Sequence, residues 1–203
     1  MDTPKPKTKR QIQAETMRLR LQGIVERLAR KMPLDDIKIQ DIASEAEVSV
    51  GNFYQYFSSK EEALIYSYRY IDLEWEKLEF EKIADCEMRV FTIIKAHLTS
   101  MADATLCFLA QLYISQLKIY DEYFFTPDRY LHRVLRQGIE ECQRQGIFTS
   151  SYTAAELTEK FLNFSRGLVY NYCIRHKEDQ AAWLEKALKE SREYILFFKT
   201  SAR

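Results

Sequence analysis

Apolar residues in this chain recur at steps of three and four, and no stretch sustains the strict alternation of a half-buried strand. That periodicity predicts an all-α fold of about nine helices. A first helix, from about Gln11 to Lys31, puts Leu21, Ile24, Val25, Leu28, Ala29 and Met32 on one face, and Pro33 stops it. A short second helix, about Ile39 to Ala46, carries Ile39, Ile42, Ala43 and Ala46 at the same spacing, and a tight turn at Glu47-Val48 leads to a third, Ser49 to Tyr56. Ser59 with Glu62 reads as a capping box opening a fourth helix, from Lys60 to about Ile83. Further helices fit about 87–101, 103–121, 127–145, 153–175 and 179–199, with Thr126-Pro127-Asp128 as a start signal, Gly146 as a stop, and Thr153 with Glu156 as another capping box.

The third helix is where chemistry first shows. Two short helices joined by a tight turn and packed on a longer one form a helix-turn-helix, whose second helix enters a DNA major groove. Val48, Phe53 and Phe57 are expected inside, since little else can hold so short a helix. That leaves Ser49, Val50, Gly51, Asn52, Tyr54, Gln55 and Tyr56 outward or lateral. Asn52 and Gln55 can bond an adenine edge bidentately, and a Val50 methyl can pack on a thymine methyl. The tyrosine hydroxyls reach phosphates without a charge to desolvate, and Lys60, at a helix start, is expected to meet one with charge and amides together. The plain alternative is a tyrosine-rich packing hairpin with no DNA.

Charge sharpens the choice. The 203 residues sum to zero, but residues 1–31 hold nine Lys/Arg against Asp2, Glu15 and Glu26. A basic head, with Lys5 and Lys7 in its leading arm, on a slightly acidic body suits a polyanion at one end; a solvated tail has the same composition. No apolar run approaches a membrane span and the N-terminus is charged, so a cytoplasmic protein is expected, off the membrane. Cys86, Cys107, Cys142 and Cys173 lie far apart with no CxxC, which predicts reduced thiols. His97, His132 and His176 stand isolated from metal-ligand spacings, and there is no GxSxG, P-loop or GxGxxG. Neither an enzyme, nor a metal site, nor a cofactor is expected.

The stretch Ile39 to Lys60 resembles the N-terminal domain of TetR-type bacterial repressors: Asp41-Ile42-Ala43, Val48-Ser49, Gly51, the Phe53-Tyr54-x-Tyr56-Phe57 run and Lys60 stand where that pattern expects them. The likeness covers about residues 10–70. It departs at Pro33 and Leu34, at Glu47 in place of a turn glycine, and at Lys38 in place of a small hydroxyl cap, where a charged phosphate contact is expected instead.

The resemblance implies a DNA-binding head at residues 1–58 and a helical ligand-binding and dimerisation domain at 59–203. It implies a homodimer whose two heads read palindromic double-stranded DNA, and a small molecule that separates the heads through the fourth helix. Repressor and activator remain open, as does a ligand-binding module without DNA. The aromatics between Phe91 and Phe125 are mostly core by composition, yet suit a pocket for an apolar or flat effector, with His97, Phe108, Leu112 and Tyr113 as candidates. Leu157, Phe161, Phe164, Leu168 and Tyr172, with Gly167 beside them, and Leu184, Leu188 and Ile195 form two apolar stripes for a two-fold four-helix bundle. Intramolecular core explains the same stripes.

Overall fold

The computed structural model describes residues 8–175 and 179–200; Lys5, Lys7 and His176 lie outside the described residues. Among the described residues the chain is helical, with no strand; the one extended pairing is an antiparallel bridge between Phe148 and Lys199. The helices are α1 (Lys9–Ala29), α2 (Ile39–Glu45), α3 (Val50–Tyr56), α4 (Lys60–Ile65), α5 (Ser67–Glu76), α6 (Cys86–Ala102), α7 (Leu106–Ile119), α8 (Tyr130–Arg144), α9 (Ala154–Arg175) and α10 (Gln180–Leu196). Eight of the nine expected helices appear as single elements; the fourth is realised as α4 and α5.

Local chemistry explains most boundaries. α1 starts earlier than its apolar face suggests because Thr8 and Gln11 cap each other: Thr8 Oγ1 accepts from Gln11 N at 3.3 Å and Gln11 Oε1 from Thr8 N at 2.8 Å. It stops at Ala29, so Met32 leaves the expected apolar face and is 38% exposed. Thr153 and Glu156 form the expected reciprocal box before α9, at 3.2 and 2.7 Å. At α4, Ser59 Oγ accepts from Glu62 N as expected, but the Glu62 carboxylate reaches back one residue further, to Ser58 N and Oγ. The start signal at Thr126-Pro127-Asp128 proves early: α8 begins at Tyr130, with Arg129 as its N-cap residue.

The long fourth helix is the main correction. α4 closes at Tyr66, and past Glu76 the backbone turns at Glu79, at φ 48°, before a 3-10 turn at Phe80–Lys82. No glycine or proline marks either break. Tertiary contacts supply the reason at the first: Ser67 is fully buried and its Oγ accepts from Gln22 Nε2 of α1 at 2.8 Å, while Tyr66 packs edge-on against Phe57.

Two compact units divide the chain, one formed by residues up to Tyr70 together with Cys107–Asp121, the other by Ile71–Leu106 and Glu122 onward. In the first, Leu21, Ile24, Val25 and Ala29 of α1 meet Ile42, Ala43, Phe53, Phe57, Ala63 and Leu64 in the core. Each of the larger side chains contributes about 1.5–3 kcal/mol by leaving water. α7 belongs to this unit: Gln111 Nε2 donates to Ala29 O at 2.8 Å, and Lys118 pairs with Glu61 at 3.3 Å. The second unit packs α6, α8, α9 and α10 around Val90, Ile93, Leu98, Leu131, Leu135, Ile139, Leu157 and Phe161.

The cysteine expectation is corrected in the second unit. Cys86 and Cys142, 56 positions apart, form a buried disulfide between α6 and α8 with Cα atoms 5.5 Å apart. Helix packing brings them together, which linear spacing does not reveal. Cys107 and Cys173 are free thiols, and burial pushes the Cys173 thiol up to about 11.

Candidate nucleic-acid interface and a buried polar cluster

α3 is held from beneath. Phe53 and Phe57 are buried and pack on one another, while Val48 is only half-buried in the turn ahead of them. Ser49 is the N-cap, its Oγ accepting from Asn52 N at 3.1 Å, so its hydroxyl is engaged in shaping the helix. Gly51, Tyr54 and Gln55 are exposed, with Tyr54 at 53%; Val50, Asn52 and Tyr56 are half-buried. Asn52 Nδ2 donates to Gln55 Oε1 at 3.3 Å, which aligns the two amides on one face. A Cβ on Gly51 would meet only Ser49 Oγ, at 3.8 Å, so packing does not demand glycine there; its smoothness leaves the backbone open to approach. Arg18 stacks 5.7 Å from the Tyr56 ring, bringing α1 charge to this face. Lys38 is exposed at the start of α2 and makes no side-chain cap.

Two features differ from expectation or settle it. Glu47 takes the left-handed conformation at φ 56°, and Val48 N bonds back to Ala43 O at 2.9 Å, closing α2 as a glycine would. Its carboxylate reaches Arg20 at 3.5 Å, an exposed pair of little worth. We therefore expect Glu47→Gly to stabilise the protein by about 0.5–1 kcal/mol, raising its melting temperature by roughly 2 °C. An unchanged or lower melting point would show that the turn carries no strain.

Lys60 is the second. Its ammonium donates to the carbonyls of Leu34, Asp35 and Ile37 at 2.7, 3.2 and 2.7 Å, one acceptor for each of its three N–H bonds. The expected free phosphate contact is corrected to a clamp that fixes the start of α4 on the 3-10 turn at Leu34–Asp36. Lysine character at a helix start was legible; its claim by three loop carbonyls 23–26 residues earlier was not.

The effector candidates fall in both units: Phe108, Leu112 and Tyr113 lie on α7 in the first, where buried Phe108 sits 4.8 Å beneath the Arg30 guanidinium. His97 lies on α6 in the second, within a polar cluster that sequence reasoning missed. Asp72 and Arg129 pair at 2.7 Å with both side chains only 4% exposed, and Tyr123 Oη donates to the same Asp72 Oδ2 at 2.8 Å. Arg166 stacks 4.4 Å over Phe124 and donates to His132 Nε2 at 2.9 Å. Because arginine only donates, His132 is neutral there and its Nδ1–H faces Glu159 at 3.4 Å as a dipole rather than an ion.

Burial, then the positive potential of Arg166 and Arg129, pushes both His97 and His132 down to about 3. Trp75 stands edge-on to His97 at 6.2 Å and donates to Ser100 Oγ at 3.3 Å. In this interior Asp72 Oδ1 and His97 Nδ1 find no hydrogen-bond partner. Each such atom costs a fold about 1–3 kcal/mol. Among the described residues no group of three or more His, Cys, Asp or Glu could hold a metal ion.

The dimer candidates separate into two kinds. Leu157, Phe161, Tyr172 and Ile195 are buried within their own unit, with Tyr172 stacked on Trp183 at 4.3 Å, so for these four the interface expectation is corrected to core. Phe164, Gly167, Leu168, Leu184 and Leu188 are half-buried. The large apolar residues that α9 leaves outside are Tyr170 at 57% and Ile174 at 53%, about a third to nearly half of a helical turn round from the expected stripe.

Three helices with the third one exposed form a helix-turn-helix head, and an all-helical unit with a polar interior follows it. Residues 26–65 match the profile of the bacterial regulatory proteins of the tetR family. No curated protein sequence matches the chain. Among solved structures, a TetR transcription regulator from Haloarcula marismortui ATCC 43049 is 18% identical with a TM-score of 0.65, over 92% of this chain and 100% of that one. A putative regulator from Saccharomonospora viridis in complex with choline is 20% identical (TM-score 0.63, 93% and 100% covered). The TetR-family repressor FadR of Thermus thermophilus, in complex with lauroyl-CoA, is 17% identical (0.62, 92% and 98%). Residues 26–65 thus match that family's helix-turn-helix head, and the fold is like that of its solved regulators.

Proposed function

We propose that this protein is a ligand-responsive transcriptional regulator that binds a palindromic operator as a homodimer and releases it when a small, largely apolar effector binds. Residues 1–58 would serve DNA; residues 59–203 would serve effector and partner, although α4, the first turn of α5 and α7 pack with the head. The observation that carries the reading is α3 itself: an outward set of Val50, Gly51, Asn52, Tyr54, Gln55 and Tyr56 above two buried phenylalanines. Asn52 and Gln55 supply paired donors and acceptors for base edges, Val50 a methyl contact, and Tyr54, Tyr56 and Lys38 reach toward phosphates. Release rather than recruitment is the role proposed for the effector, in keeping with the described repressor that was crystallised with lauroyl-CoA.

Pairing through α9 and α10 is supported by Tyr170 and Ile174 standing exposed beside half-buried Gly167 and Leu168. No single helix among the described residues is long and apolar enough to cross a membrane. Selection from random duplexes tests the whole reading. It should enrich a palindrome whose half-site centres lie about 34–36 Å apart, bound by two chains. Gln55→Ala should then lose about 1–3 kcal/mol of discrimination at one base pair per half-site, with the other positions unchanged. A pool that enriches nothing, or one chain per duplex in sedimentation, would sink it.

A further inference from the structure

In the buried cluster of the second unit, Asp72 Oδ1 and His97 Nδ1 are left unanswered by the surrounding side chains, and their chemistry is specific. Asp72 Oδ1 can only accept, so what it lacks is an N–H or O–H donor. His97 Nδ1, on a side chain 8% exposed, can meet either a donor or an acceptor according to tautomer. The same carboxylate already shows how it takes a phenol: Tyr123 Oη donates to Asp72 Oδ2 at 2.8 Å while the Arg129 guanidinium lies 5.9 Å from that ring. Aromatic and cationic groups belong to the same unit, with Trp75 edge-on to His97 and the guanidiniums of Arg129 and Arg166 over the Phe124 ring at 5.6 and 4.4 Å. Such faces hold flat electron-rich rings, whose π-surface attracts cations.

We propose that this cluster is the effector site and that the effector is a small hydroxylated aromatic, a phenol or dihydroxybenzene, donating its O–H to Asp72 Oδ1 and bonding His97 Nδ1 with a hydroxyl. The inference rests on the ligand-responsive reading above and names the chemistry of that site. A quaternary ammonium ligand is disfavoured because it brings no hydrogen-bond donor to Asp72 Oδ1 and would share the cluster with the guanidiniums of Arg129 and Arg166. A carboxylate is disfavoured because it brings no donor to Asp72 Oδ1.

The test uses the full-length protein with phenol, catechol and resorcinol, and compares them with anisole and veratrole, which keep ring and oxygen but lose the donor. Benzoate and choline complete the panel. The hydroxylated members should raise the melting temperature and quench the fluorescence of Trp75, with the methyl ethers binding at least tenfold more weakly. His97→Leu keeps an apolar body beside Trp75 and removes the unpartnered nitrogen. It should leave the free protein as stable or more so and weaken the hydroxylated ligands by at least tenfold; a structural histidine would show the reverse. Trp75→Phe should abolish the quench and preserve the thermal shift. Equal binding of ethers and phenols, no stabilisation by any hydroxylated member, or unchanged affinity in His97→Leu would each overturn the proposal.

The selected duplex separates the two readings. Phenols that bind through His97 without altering duplex affinity would uphold the site and overturn ligand-responsive regulation. Release of the duplex by other compounds, with phenols inert, would do the opposite.

Discussion

Arg129→Met should cost the fold about 3–5 kcal/mol, because it strands the Asp72 carboxylate in an interior that water does not reach. Asp72 would retain the Tyr123 hydroxyl on one oxygen and nothing on the other. For a chain of this size the loss corresponds to a fall in melting temperature of roughly 10 °C. The converse variant, Asp72→Leu, should be comparably damaging, since it leaves the Arg129 guanidinium buried against two aromatic rings without its carboxylate. Removing both charges together in Asp72→Leu/Arg129→Met should recover most of the stability, because the desolvation of the pair offsets much of its attraction. Urea unfolding of the four proteins measures the coupling directly. A coupling below about 1 kcal/mol would mean that the pair is solvated in solution.

On the proposed reading, the pair serves function as well as stability. A regulator without an effector requirement has little reason to keep two guanidiniums, a carboxylate and two neutral imidazoles inside a helical unit, where leucine would pack at less cost. In the reading proposed here, the single mutants lose the effector response along with stability, whereas the double mutant recovers the fold and not the response.

How far the sequence carried differs between the two units for physical reasons. α3 was legible because everything that defines it is local: Ser49 caps it, Phe53 and Phe57 recur at four residues, and the remaining positions are forced outward. The turn before it was legible as a problem, since a glutamate stood where a left-handed residue was needed, and Glu47 does take φ 56°. The polar cluster was not legible because its members are scattered. Asp72 and Arg129 are 57 positions apart, His132 and Arg166 are 34 apart, and each reads alone as an ordinary charged or isolated residue. Only helix packing makes them neighbours. The Cys86–Cys142 bond escaped for the same reason. On α9 and α10 periodicity found apolar stripes but not which way they face, since a helix apolar over more than half its circumference offers two neighbouring faces. Burial resolves it by placing Leu157, Phe161 and Tyr172 inside and Tyr170 and Ile174 outside.

Mild acid should destabilise this protein before carboxylates begin to titrate. His97 is held neutral, down to about 3 from an ordinary 6.5, first by burial and then by the charges of Arg166 and Arg129. Unfolding frees it to take up a proton anywhere between those two values, so over that window the unfolded chain binds more protons and stability rises with pH. The contribution is fully present above pH 6.5 and drains away as pH falls toward 3. At pH 5 the loss from one such histidine is about 2 kcal/mol. His132 is depressed by the same causes and acts in the same direction. Glu61 and Glu156, whose carboxyls are held below 4.5, begin to contribute only beneath that value. The range between pH 6.5 and 5 therefore isolates the imidazoles. Urea midpoints measured across it should fall steadily for the wild-type protein, and the slope should shrink by about half in His97→Leu. A midpoint that holds steady to pH 5, or a variant that titrates like the wild type, would show that His97 is not held neutral by its burial and the arginines around it.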